Sequence, residues 1–503
     1  MNNLMTQILH LYPIYPIILP IIAAIIIIFV SKIKKSRILF GTIASILTGI
    51  STFIAIDNFY KIIESKEPIV FYYLTFGPPL GSCFEIDAFS AFIAIIFAVV
   101  GFTISLYSIS YIEEEDITEY YVLLSLMISG LIGVAYAGDL FTLFVFYELL
   151  GVSAYILVAF YKTKEAIEAS IKYLIMGAAG SALILYGIAL LYGLTGTLNM
   201  AFIADIMRGH QFSPQLYLIL VLFLVGFGVK ASLVPMHTWL PDAHPAAPSS
   251  ISAMLSGVVI KAGMYALIRV SFILFYQKEA LTGFAWNTNI SLLFSIIAII
   301  TITLPNIIAL VQTDLKRMLA YSSIYNMGII FAGIAIGSKL AIAAALFHIL
   351  NHALAKALLF MNSGAFIMQT NTRNINELKG IGKKMPGTGI SFVVGCLSLA
   401  GIPPLAGFYS KFLIIWAAIL AIINGNWIGY IVAITLAINA VISIGYYFSV
   451  LVRNIWLVPE TSEKAINAKE APKTILVSEL IILLLILSLI HISEPTRPRL
   501  TSY

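Results

Sequence analysis

Basic side chains lie inside long apolar segments of this chain, where charge is costly. Lys230 ends the apolar run 216–229, and Lys261 lies within the apolar segment 248–276. A charged side chain at the centre of a membrane helix costs roughly 2.5–3.5 kcal/mol on insertion scales. Charge kept in such positions indicates that buried charge is part of the function. The basic residues placed in this way are Lys172, Lys230, Lys261, Arg269, Lys356 and Lys411.

An acidic residue, Glu148, lies in a further apolar segment that begins at Asp139. If Asp139 marks the start of a helix, Glu148 lies about 13 Å along it, close to the middle of a bilayer. Carboxylates inside a membrane usually take part in function, so we predict a functional role for Glu148. The alternative is a carboxyl group that a neighbouring helix satisfies.

A proline-rich break follows Lys230, in the segment 234–248. Pro235 removes a backbone donor and frees carbonyl groups, which need water or side chains as partners. Broken helices that face a wet cavity commonly place ion sites at the middle of a membrane. A lysine away from water can gain and lose a proton near neutral pH. The alternative for Lys230 and Lys261 is a long side chain that reaches the membrane surface.

Three ionisable residues recur at helical spacing in predicted helix eleven. His348, His352 and Lys356 are four residues apart and therefore lie on one face. Two histidines in this spacing could bind a metal, but no glutamate follows the first one as in a zincin helix, and the lysine disfavours a cation. A proton relay fits better, because histidine titrates near neutral pH. One or both histidines could instead be hydrogen-bonded packing residues.

A second proline break, Pro403-Pro404, precedes Lys411 in predicted helix twelve. The segments 216–241 and 390–420 therefore form a weak internal repeat, with two discontinuous helices and one lysine near each break. Five spans lie in each of the two units, helices four to eight and nine to thirteen. An odd number of spans makes the two units inverted, as in transporters with sites at the midplane of each half.

The composition places these residues in a polytopic membrane protein. Of the 503 residues, 60% are apolar and 11% are charged, against about 25% charged in soluble domains. Cys83 and Cys396 are far apart, which argues against a cysteine-ligated cluster or a structural zinc site. Segments long enough to span a bilayer predict fourteen helices, near 9–30, 38–60, 85–111, 118–137, 139–161, 166–194, 213–233, 248–276, 286–310, 317–337, 340–369, 387–422, 427–452 and 474–492.

The loops predict the orientation. With the N-terminus outside, inward loops carry 16 lysines and arginines, Lys316 and Arg317 among them, and outward segments carry 7. Both termini are therefore predicted on the outer side. The polar tail 493–503 is predicted to be disordered. Glu168 and Lys172 form a predicted i, i+4 pair, which structural bridging or a charge path would equally explain.

Three motifs resemble a known family. They are His-Thr-Trp-Leu-Pro-Asp-Ala-His-Pro-Ala-Ala-Pro-Ser-Ser (237–250), Asp-Leu-Lys-Arg-Met-Leu-Ala-Tyr-Ser-Ser-Ile (314–324) and Asn-His-Ala-Leu-Ala-Lys-Ala-Leu-Leu-Phe (351–360). The chain resembles the antiporter-like subunits of the respiratory complex I superfamily over roughly residues 85–455. The first motif is most similar to the hydrogenase and formate hydrogenlyase branch. The resemblance implies fourteen helices and proton transfer along a central hydrophilic axis.

The resemblance also implies roles for individual residues. Glu148 would pair with Lys230, Lys261 and His348 would connect the two halves, and Lys411 would be the terminal lysine. Some relatives carry glutamate at this last position. Several relatives have Ser-His where this chain has Tyr325-Asn326, so a relay histidine on helix ten is absent. Only 11 residues follow predicted helix fourteen, which disfavours the largest subunit type, with its lateral helix.

We therefore predict a proton-translocating membrane subunit of a redox-driven multisubunit complex, multi-pass in the cytoplasmic membrane. Its partners would be other membrane subunits and peripheral redox subunits, with no cofactor, metal or nucleic acid of its own. The alternatives are a sodium/proton antiporter subunit and a purely structural anchor. Residues 1–111 would hold helices one to three, 112–276 and 277–455 the two repeats, and 456–503 helix fourteen with the tail. Supporting roles are possible for Asp139, Lys172, His237, His244, His352 and Lys356.

Overall fold

A computed structural model describes residues 11–72, 81–113, 116–208, 213–275 and 288–493 of the chain. These residues form a polytopic, mostly helical membrane protein. Thirteen described helices are long and apolar enough to cross a membrane, and the shorter apolar helices Pro214–Lys230 and Pro386–Ala400 accompany them. The ends of the chain, 1–10 and the tail 494–503, lie outside the described residues, so the prediction of a disordered tail is not tested there.

The N-terminal part holds three long helices and one small sheet. The helices are α1 (Tyr15–Ser31), α2 (Arg37–Ser65) and α3 (Ala88–Tyr111). Strands β1 (Ile69–Tyr72) and β2 (Cys83–Ile86) pair antiparallel between α2 and α3, with Ile69 opposite Ile86. This sheet was not predicted from the sequence, because strands of four residues are too short for a clear alternating pattern.

The middle of the chain contains the first predicted break and further helices. Predicted helix seven consists of two helices, as expected, and predicted helix eight begins with a short helix and a π-helical turn at Leu255–Val259. The helices are α4 (Ile117–Tyr136), α5 (Leu140–Val158), α6 (Lys164–Thr195), α7 (Met200–Met207), α8 (Pro214–Lys230), α9 (Leu240–Ala246), α10 (Ser249–Met254) and α11 (Ile260–Phe275).

The last part of the chain contains the second predicted break. Predicted helix twelve is also split, between Ala400 and Ala406, and a π-helical segment, Gly445–Leu457, continues predicted helix thirteen. The helices are α12 (Thr288–Leu310), α13 (Leu315–Ile336), α14 (Lys339–Thr370), α15 (Pro386–Ala400), α16 (Ala406–Ile423), α17 (Ile428–Ile444), α18 (Glu463–Ile466) and α19 (Lys473–Ser493).

The side chain of Trp239 packs against the end of α8 at the first break. After α8 ends at Lys230, the chain runs through 231–239 before α9 begins. The Trp239 indole N–H donates to the carbonyl of Val229, 2.9 Å away, and its ring stacks on Tyr173 with centroids 3.8 Å apart. Trp239 therefore adds a further donor to a carbonyl group at the end of α8, which also accepts from the backbone of Ser232 at 3.2 Å.

Two junctions of the fold match each other. Asp139 caps α5 and bridges to Asn199, while Asp314 caps α13 and bridges to Asn374. Both members of the second pair follow those of the first by 175 positions in the chain. In each junction the asparagine side chain accepts hydrogen bonds from backbone N–H groups after it. The same contacts thus occur at both junctions.

The most deeply buried helices lie at the centre of the bundle. In Ser249–Leu274 every residue of the most apolar stretch is buried inside the protein, and in Leu315–Ile336 94% of the residues of that stretch are buried. In α19 the buried share of the corresponding stretch is 33%. Helices α11 and α13 therefore form the core around which the other helices pack, and they place their polar side chains away from the lipid.

Candidate functional site

Glu148 and Lys230 lie together, as the family resemblance implied. The Lys230 Nζ atom is 3.9 Å from the Glu148 Oε1 atom and donates a hydrogen bond to the Tyr155 hydroxyl at 3.2 Å. The hydroxyl of Ser181 donates to the same Glu148 oxygen at 2.5 Å. The Lys230 side chain is 3% exposed, but that of Glu148 is 37% exposed. The buried ammonium group of Lys230 therefore pairs with a carboxylate that is partly exposed on the surface of this chain.

Glycines allow the backbone to approach this pair closely. A Cβ atom at Gly263 would lie 2.6 Å from the nitrogen of Ala231, so α11 packs directly against the end of α8. A Cβ atom at Gly226 would lie 2.8 Å from the carbonyl oxygen of Gly180, where α6 meets α8. Such distances exclude a side chain at either position. The glycines therefore fix Lys230 between α6 and α11.

Lys261 is fully buried in α11, next to the π-helical turn. Its Nζ atom donates to the carbonyl of Ser256. The Ser256 hydroxyl in turn lies 2.6 Å from the hydroxyl of Ser323 on α13. Two serine hydroxyls therefore connect the surroundings of Lys261 with α13.

Lys356 continues this set of contacts. Its Nζ atom donates to the carbonyl of Leu319 at 2.9 Å and to the hydroxyl of Ser322. Ser323 donates to the same Leu319 carbonyl at 2.8 Å. Lys356 is fully buried. Its contacts with Leu319 and Ser322 on α13 place it in the same set as Ser323, whereas only a supporting role was predicted for it.

His348 links α13 with the second broken helix. Its Nε2 atom is 3.1 Å from the Asn326 Oδ1 atom, and its Nδ1 atom is 2.8 Å from the hydroxyl of Ser410. The Asn326 amide donates to the carbonyl of Ser322 at 2.7 Å. With the amide in this orientation, a neutral His348 donates to Asn326 and accepts from Ser410. Asn326 thus contacts His348 where several relatives were expected to carry a second histidine.

Lys411 ends the set, beside Ser410. Its Nζ atom donates to the carbonyl of Leu399 at 2.6 Å and to that of Ala400 at 3.4 Å, the last residues of α15. It also lies 5.4 Å from the centre of the Tyr325 ring. Among the described residues, no carboxylate lies within ion-pair distance of Lys411. Its charge is balanced by the carbonyl end of a helix.

Several contacts of Lys261, Lys356, His348 and Lys411 thus form one series, which we call the buried row. From one end to the other it consists of Lys261, Ser256, Ser323, Leu319, Lys356, Ser322, Asn326, His348, Ser410 and Lys411, of which Ser410 and Lys411 are joined only as neighbours in the chain. Serine hydroxyls and the imidazole can pass protons, whereas the carbonyl oxygens only hold the lysines in place.

The predicted supporting histidines are not in the row. His352 stacks on His348 with ring centroids 6.1 Å apart, and neither of its nitrogens has a hydrogen-bond partner among the described residues. His244 is fully buried, packs edge-on against Phe360 at 5.0 Å and likewise has no hydrogen-bond partner there. His237 lies in the break after α8 and is 9% exposed.

The hydrogen bonds of Asp139 hold secondary-structure elements together. One of its oxygens accepts from the backbone of Thr142 at 2.8 Å, and the other accepts from the Thr142 hydroxyl at 2.6 Å and the Cys83 backbone at 3.0 Å. It caps α5 and holds β2, and none of its hydrogen bonds reaches the row.

Arg269, one of the basic residues predicted inside a span, clamps two elements. It donates to both oxygens of Asp87, the N-cap of α3, at 2.5 and 2.9 Å. Burial disfavours the charged carboxylate, but the hydrogen bonds and charge of Arg269 outweigh it and hold the pKa of Asp87 below its usual range. Arg269 therefore ties α11 to α3.

Lys172 lies at the rim of an open, charged cavity of about 310 Å³. It pairs with Glu168 at 2.8 Å, as the spacing predicted, and with Asp242 at 3.2 Å. Arg317 lies 3.8 Å from the same Asp242. The other charged residues that line the cavity are Glu165, Asp314 and Arg373. The cavity lies on the membrane side where α13 begins, which is the predicted inner side.

Two buried charged residues were missed or misplaced by the sequence analysis. Lys316 was counted as an inner-loop residue, but it is 3% exposed and donates to the carbonyl of Ala247 at 2.6 Å. The chain segment that covers it is 69 residues away, so no local pattern could reveal its burial. Glu479 in α19 is 1% exposed. Its place inside an apolar run was a usable signal, the same one that identified Glu148.

The chain is similar to proteins of three kinds of complex. NADH-quinone oxidoreductase subunit N of Desulforudis audaxviator is 35% identical over 395 residues, 76% of this chain and 75% of the relative. A Na(+)/H(+) antiporter subunit of Alkalihalophilus pseudofirmus is 31% identical over 489 residues, 97% of this chain and 94% of the relative.

Solved structures agree with these relatives. A chain of the membrane-bound sulfane sulfur reductase, an archaeal respiratory membrane complex, is 33% identical, with a TM-score of 0.84 over 95% of this chain and 94% of that chain. The family model described as NADH:quinone oxidoreductase/Mrp antiporter, TM, matches residues 137–439. That range contains Glu148, Lys230, Lys261, His348 and Lys411. The chain belongs to the NADH:quinone oxidoreductase/Mrp antiporter family of membrane proteins.

Proposed function

We propose that this chain moves protons across the membrane as a subunit of a redox-driven complex, by way of the Glu148–Lys230 pair and the buried row. The observation that carries the proposal is the row itself, in which three fully or nearly fully buried lysines and a histidine lie among serine hydroxyls, an amide and backbone carbonyl groups that contact one another. Buried ionisable side chains of this number are costly in a membrane. A function that exchanges protons accounts for them.

The Glu148–Lys230 pair would act as the switch. Opposite charges 3.9 Å apart attract by about 4 kcal/mol at an effective dielectric of 20. Moving one charge against 100 mV costs about 2.3 kcal/mol, which is of the same size. Because Glu148 is partly exposed on the face of the chain, a charge change in a neighbouring subunit can reach it. Weakening the pair would make Lys230 release its proton.

The released proton would pass to Lys261 and then along the row. No described hydrogen bond joins Lys230 to Lys261, so this step requires a water molecule or a side-chain movement. From Lys261 the proton would pass by the hydroxyls of Ser256 and Ser323 to Lys356, and from His348 by Ser410 to Lys411. Water molecules would carry it past the backbone carbonyls of Ser256, Leu319 and Ser322 and from Ser410 to Lys411, because a carbonyl oxygen has no proton to pass on. The cavity beside Lys172 and Asp242 is the proposed inner entrance, and release follows on the outer side.

The complex would supply the electron chemistry. Partner membrane subunits and peripheral redox subunits are proposed, because the relatives at 35% and 33% identity belong to an NADH-quinone oxidoreductase and a respiratory sulfane sulfur reductase. The hydrogenase and formate hydrogenlyase branch remains a prediction from the first motif. The cytoplasmic membrane, with both termini outside, is likewise proposed from the charges of the loops.

Two inverted units, 112–276 and 277–455, are part of the proposal. The matched junctions Asp139–Asn199 and Asp314–Asn374 support it, because they recur at one spacing. Five predicted spans separate the helices that these aspartates cap. The two junctions would therefore lie on opposite sides of the membrane.

A sodium/proton antiporter subunit is the second candidate. The sodium/proton antiporter relative matches 97% of the chain, so the whole fold is shared with a protein of that kind. The lysine-rich row favours protons, since sodium prefers carboxylates and carbonyl oxygens without competing cations. In the described part of the chain, Glu148 is the acidic residue that pairs with a lysine of the proposed path, Lys230.

Transport by vesicles that hold the whole complex decides between these candidates. During redox turnover, internal pH is followed with a fluorescent dye, with sodium and with potassium as the only alkali cation. We expect the same rate of pH change in both media. A pH change that requires sodium, or sodium flux without any pH change, would exclude the proton-pump proposal.

A further inference from the structure

Glu479 is a buried acidic residue that the row does not use. It is the seventh residue of α19, about 9 Å inside the helix at 1.5 Å per residue, and 1% of it is exposed. Neither of its carboxylate oxygens has a hydrogen-bond partner among the described residues. A carboxylate in this position without a partner needs an explanation.

Helices α3, α14 and α15 pack against this part of α19. The polar groups near enough to influence the charge of Glu479 are Asn362 on α14, Thr388 on α15 and Glu470 in the loop before α19, and Glu479 in turn influences Tyr107 on α3. Of the described groups that influence the charge of Glu479, none is basic. An ionised Glu479 would therefore have no cation to balance it.

The hydroxyl donors around Glu479 are directed elsewhere. The Thr388 hydroxyl donates to Glu470 at 2.9 Å, and the Tyr107 hydroxyl donates to the carbonyl of Met361 at 2.9 Å. Each hydroxyl has only one hydrogen to give. Neither group can therefore stabilise a charged Glu479 while it keeps its present partner.

Asn362 presents an acceptor to this site. Its amide nitrogen donates to the hydroxyl of Ser391 at 2.6 Å, while its Oδ1 atom has no partner among the described residues. The site thus holds three buried acceptor oxygens, two from Glu479 and one from Asn362, and lacks a donor. One proton on Glu479 supplies that donor.

We propose that Glu479 is a proton-binding site, separate from the buried row, in which the neutral carboxylic acid donates its O–H to the Asn362 Oδ1 atom. Burial of an unpaired carboxylate is unfavourable, whereas burial of a hydrogen-bonded acid is not. The site takes a proton rather than a sodium ion, because it offers one carboxylate and few further oxygen ligands.

A short polar path joins this site to the membrane surface. Glu470 accepts from the backbone of Gly387 at 2.7 Å and from the Thr388 hydroxyl, so it lies at the start of α15. The start of α15, the start of α19 and the end of α14 meet on the same side of the membrane. Protons would exchange with that side by way of Glu470 and Thr388.

Infrared difference spectroscopy of the purified whole complex in H₂O and D₂O at neutral pH tests the proposal. A protonated carboxylic acid gives a carbonyl band that shifts on deuteration, and an ionised one gives none. We expect such a band in the parent protein, its loss in Glu479→Gln and its retention in Glu463→Gln, a change at an exposed acid on α18. Identical spectra of the parent and Glu479→Gln would overturn the proposal.

A second measurement needs no variant and does not depend on proton pumping. Dicyclohexylcarbodiimide modifies protonated carboxyl groups in apolar surroundings, and mass spectrometry of peptides locates the product. We expect modification of Glu479 in the unmodified complex at neutral pH, unaffected by sodium. Protection by sodium at constant pH would show a sodium site instead, and absence of both the infrared band and the modification would show an ionised Glu479.

Discussion

The two halves of the molecule hold their lysines by different means. Lys230 is the last residue of α8 and lies 3.9 Å from a carboxylate, that of Glu148. Lys411 lies after its break, and its ammonium group reaches back to the terminal carbonyl groups of α15. At the position of α13 that corresponds to Glu148, nine residues after the capping aspartate, the chain has Ser323. The second half therefore lacks the carboxylate of the first.

Lys230 is thus paired with a side chain, whereas Lys411 is held by backbone carbonyl groups. Charges in a neighbouring subunit can alter the electrostatic environment of Glu148, because the side chain is partly exposed. The partial charge at the end of α15 belongs to the backbone and cannot change. We infer that the first half acts as the switch, while the second half accepts and releases the protons that reach it.

The largest expected effect is that of Lys411→Ala. The change removes the last proton-binding group of the row and leaves the carbonyls of Leu399 and Ala400 without their donor, at about 1–3 kcal/mol of stability. We expect proton translocation to fall by about tenfold or more, which corresponds to about 1.4 kcal/mol in a barrier. Dye-detected pH change in vesicles measures it, with Lys384→Ala as the exposed control. Unchanged translocation would remove Lys411 from the row.

A large effect is also expected of Glu148→Gln, but a smaller one of Ser323→Ala at the corresponding position. Loss of the carboxylate removes the attraction of about 4 kcal/mol that controls Lys230. Loss of the hydroxyl removes one buried hydrogen bond, about 1 kcal/mol, and slows transfer by roughly fivefold. Protons moved per electron compare the two variants. Equal effects would mean that the halves do not differ in the way proposed.

An intermediate effect is expected of Lys356→Met, which keeps the length of the side chain and removes its charge. The row then loses the ammonium group that contacts Leu319 and Ser322, so translocation should slow by roughly five- to tenfold. The complex should still assemble, because a buried lysine is replaced by an apolar side chain of similar volume. Lys383→Met, on the surface, is the matched control. A normal rate in Lys356→Met would confine the row to Lys261 and His348.

The smallest effects are expected at the capping aspartates. Asp139→Ala and Asp314→Ala each remove a helix N-cap, which costs about 0.5–2 kcal/mol of stability. Asp139 should cost more, because it is buried and accepts three hydrogen bonds. Thermal unfolding in detergent measures the loss, and the ratio of protons to electrons should stay constant. A coupling defect in Asp139→Ala with normal stability would contradict its assignment as a cap.

The helices and the buried position of Glu148 could be anticipated from the chain alone, whereas the Glu148–Lys230 contact was implied by the family resemblance. Apolar length predicts spans, proline marks the two breaks, and a carboxylate at helix midpoint is conspicuous. Burial near helix ends could not be anticipated, since it depends on distant segments. Lys316 reads as an interfacial residue beside Arg317, yet Ala247 and Pro245 cover it.

The role of Asp139 and the place of Lys356 were also beyond local patterns. Asp139 follows a residue pattern that fits either a cap or a charge path, and only its contacts with Cys83 and Thr142 decide for the cap. The spacing of His348, His352 and Lys356 placed them on one face, but not the serines of α13 opposite them. Those partners come from a helix that the sequence pattern could not orient.

Proton and electron transfer measured together in the Lys230→Ala complex test the central claim most directly. Vesicles with this variant and with Asp139→Ala, matched for assembled complex, are driven through redox turnover while internal pH is followed. We predict that Lys230→Ala keeps electron transfer and loses the protons that this chain moves, whereas Asp139→Ala keeps both. An unchanged number of protons per electron in Lys230→Ala would contradict the account.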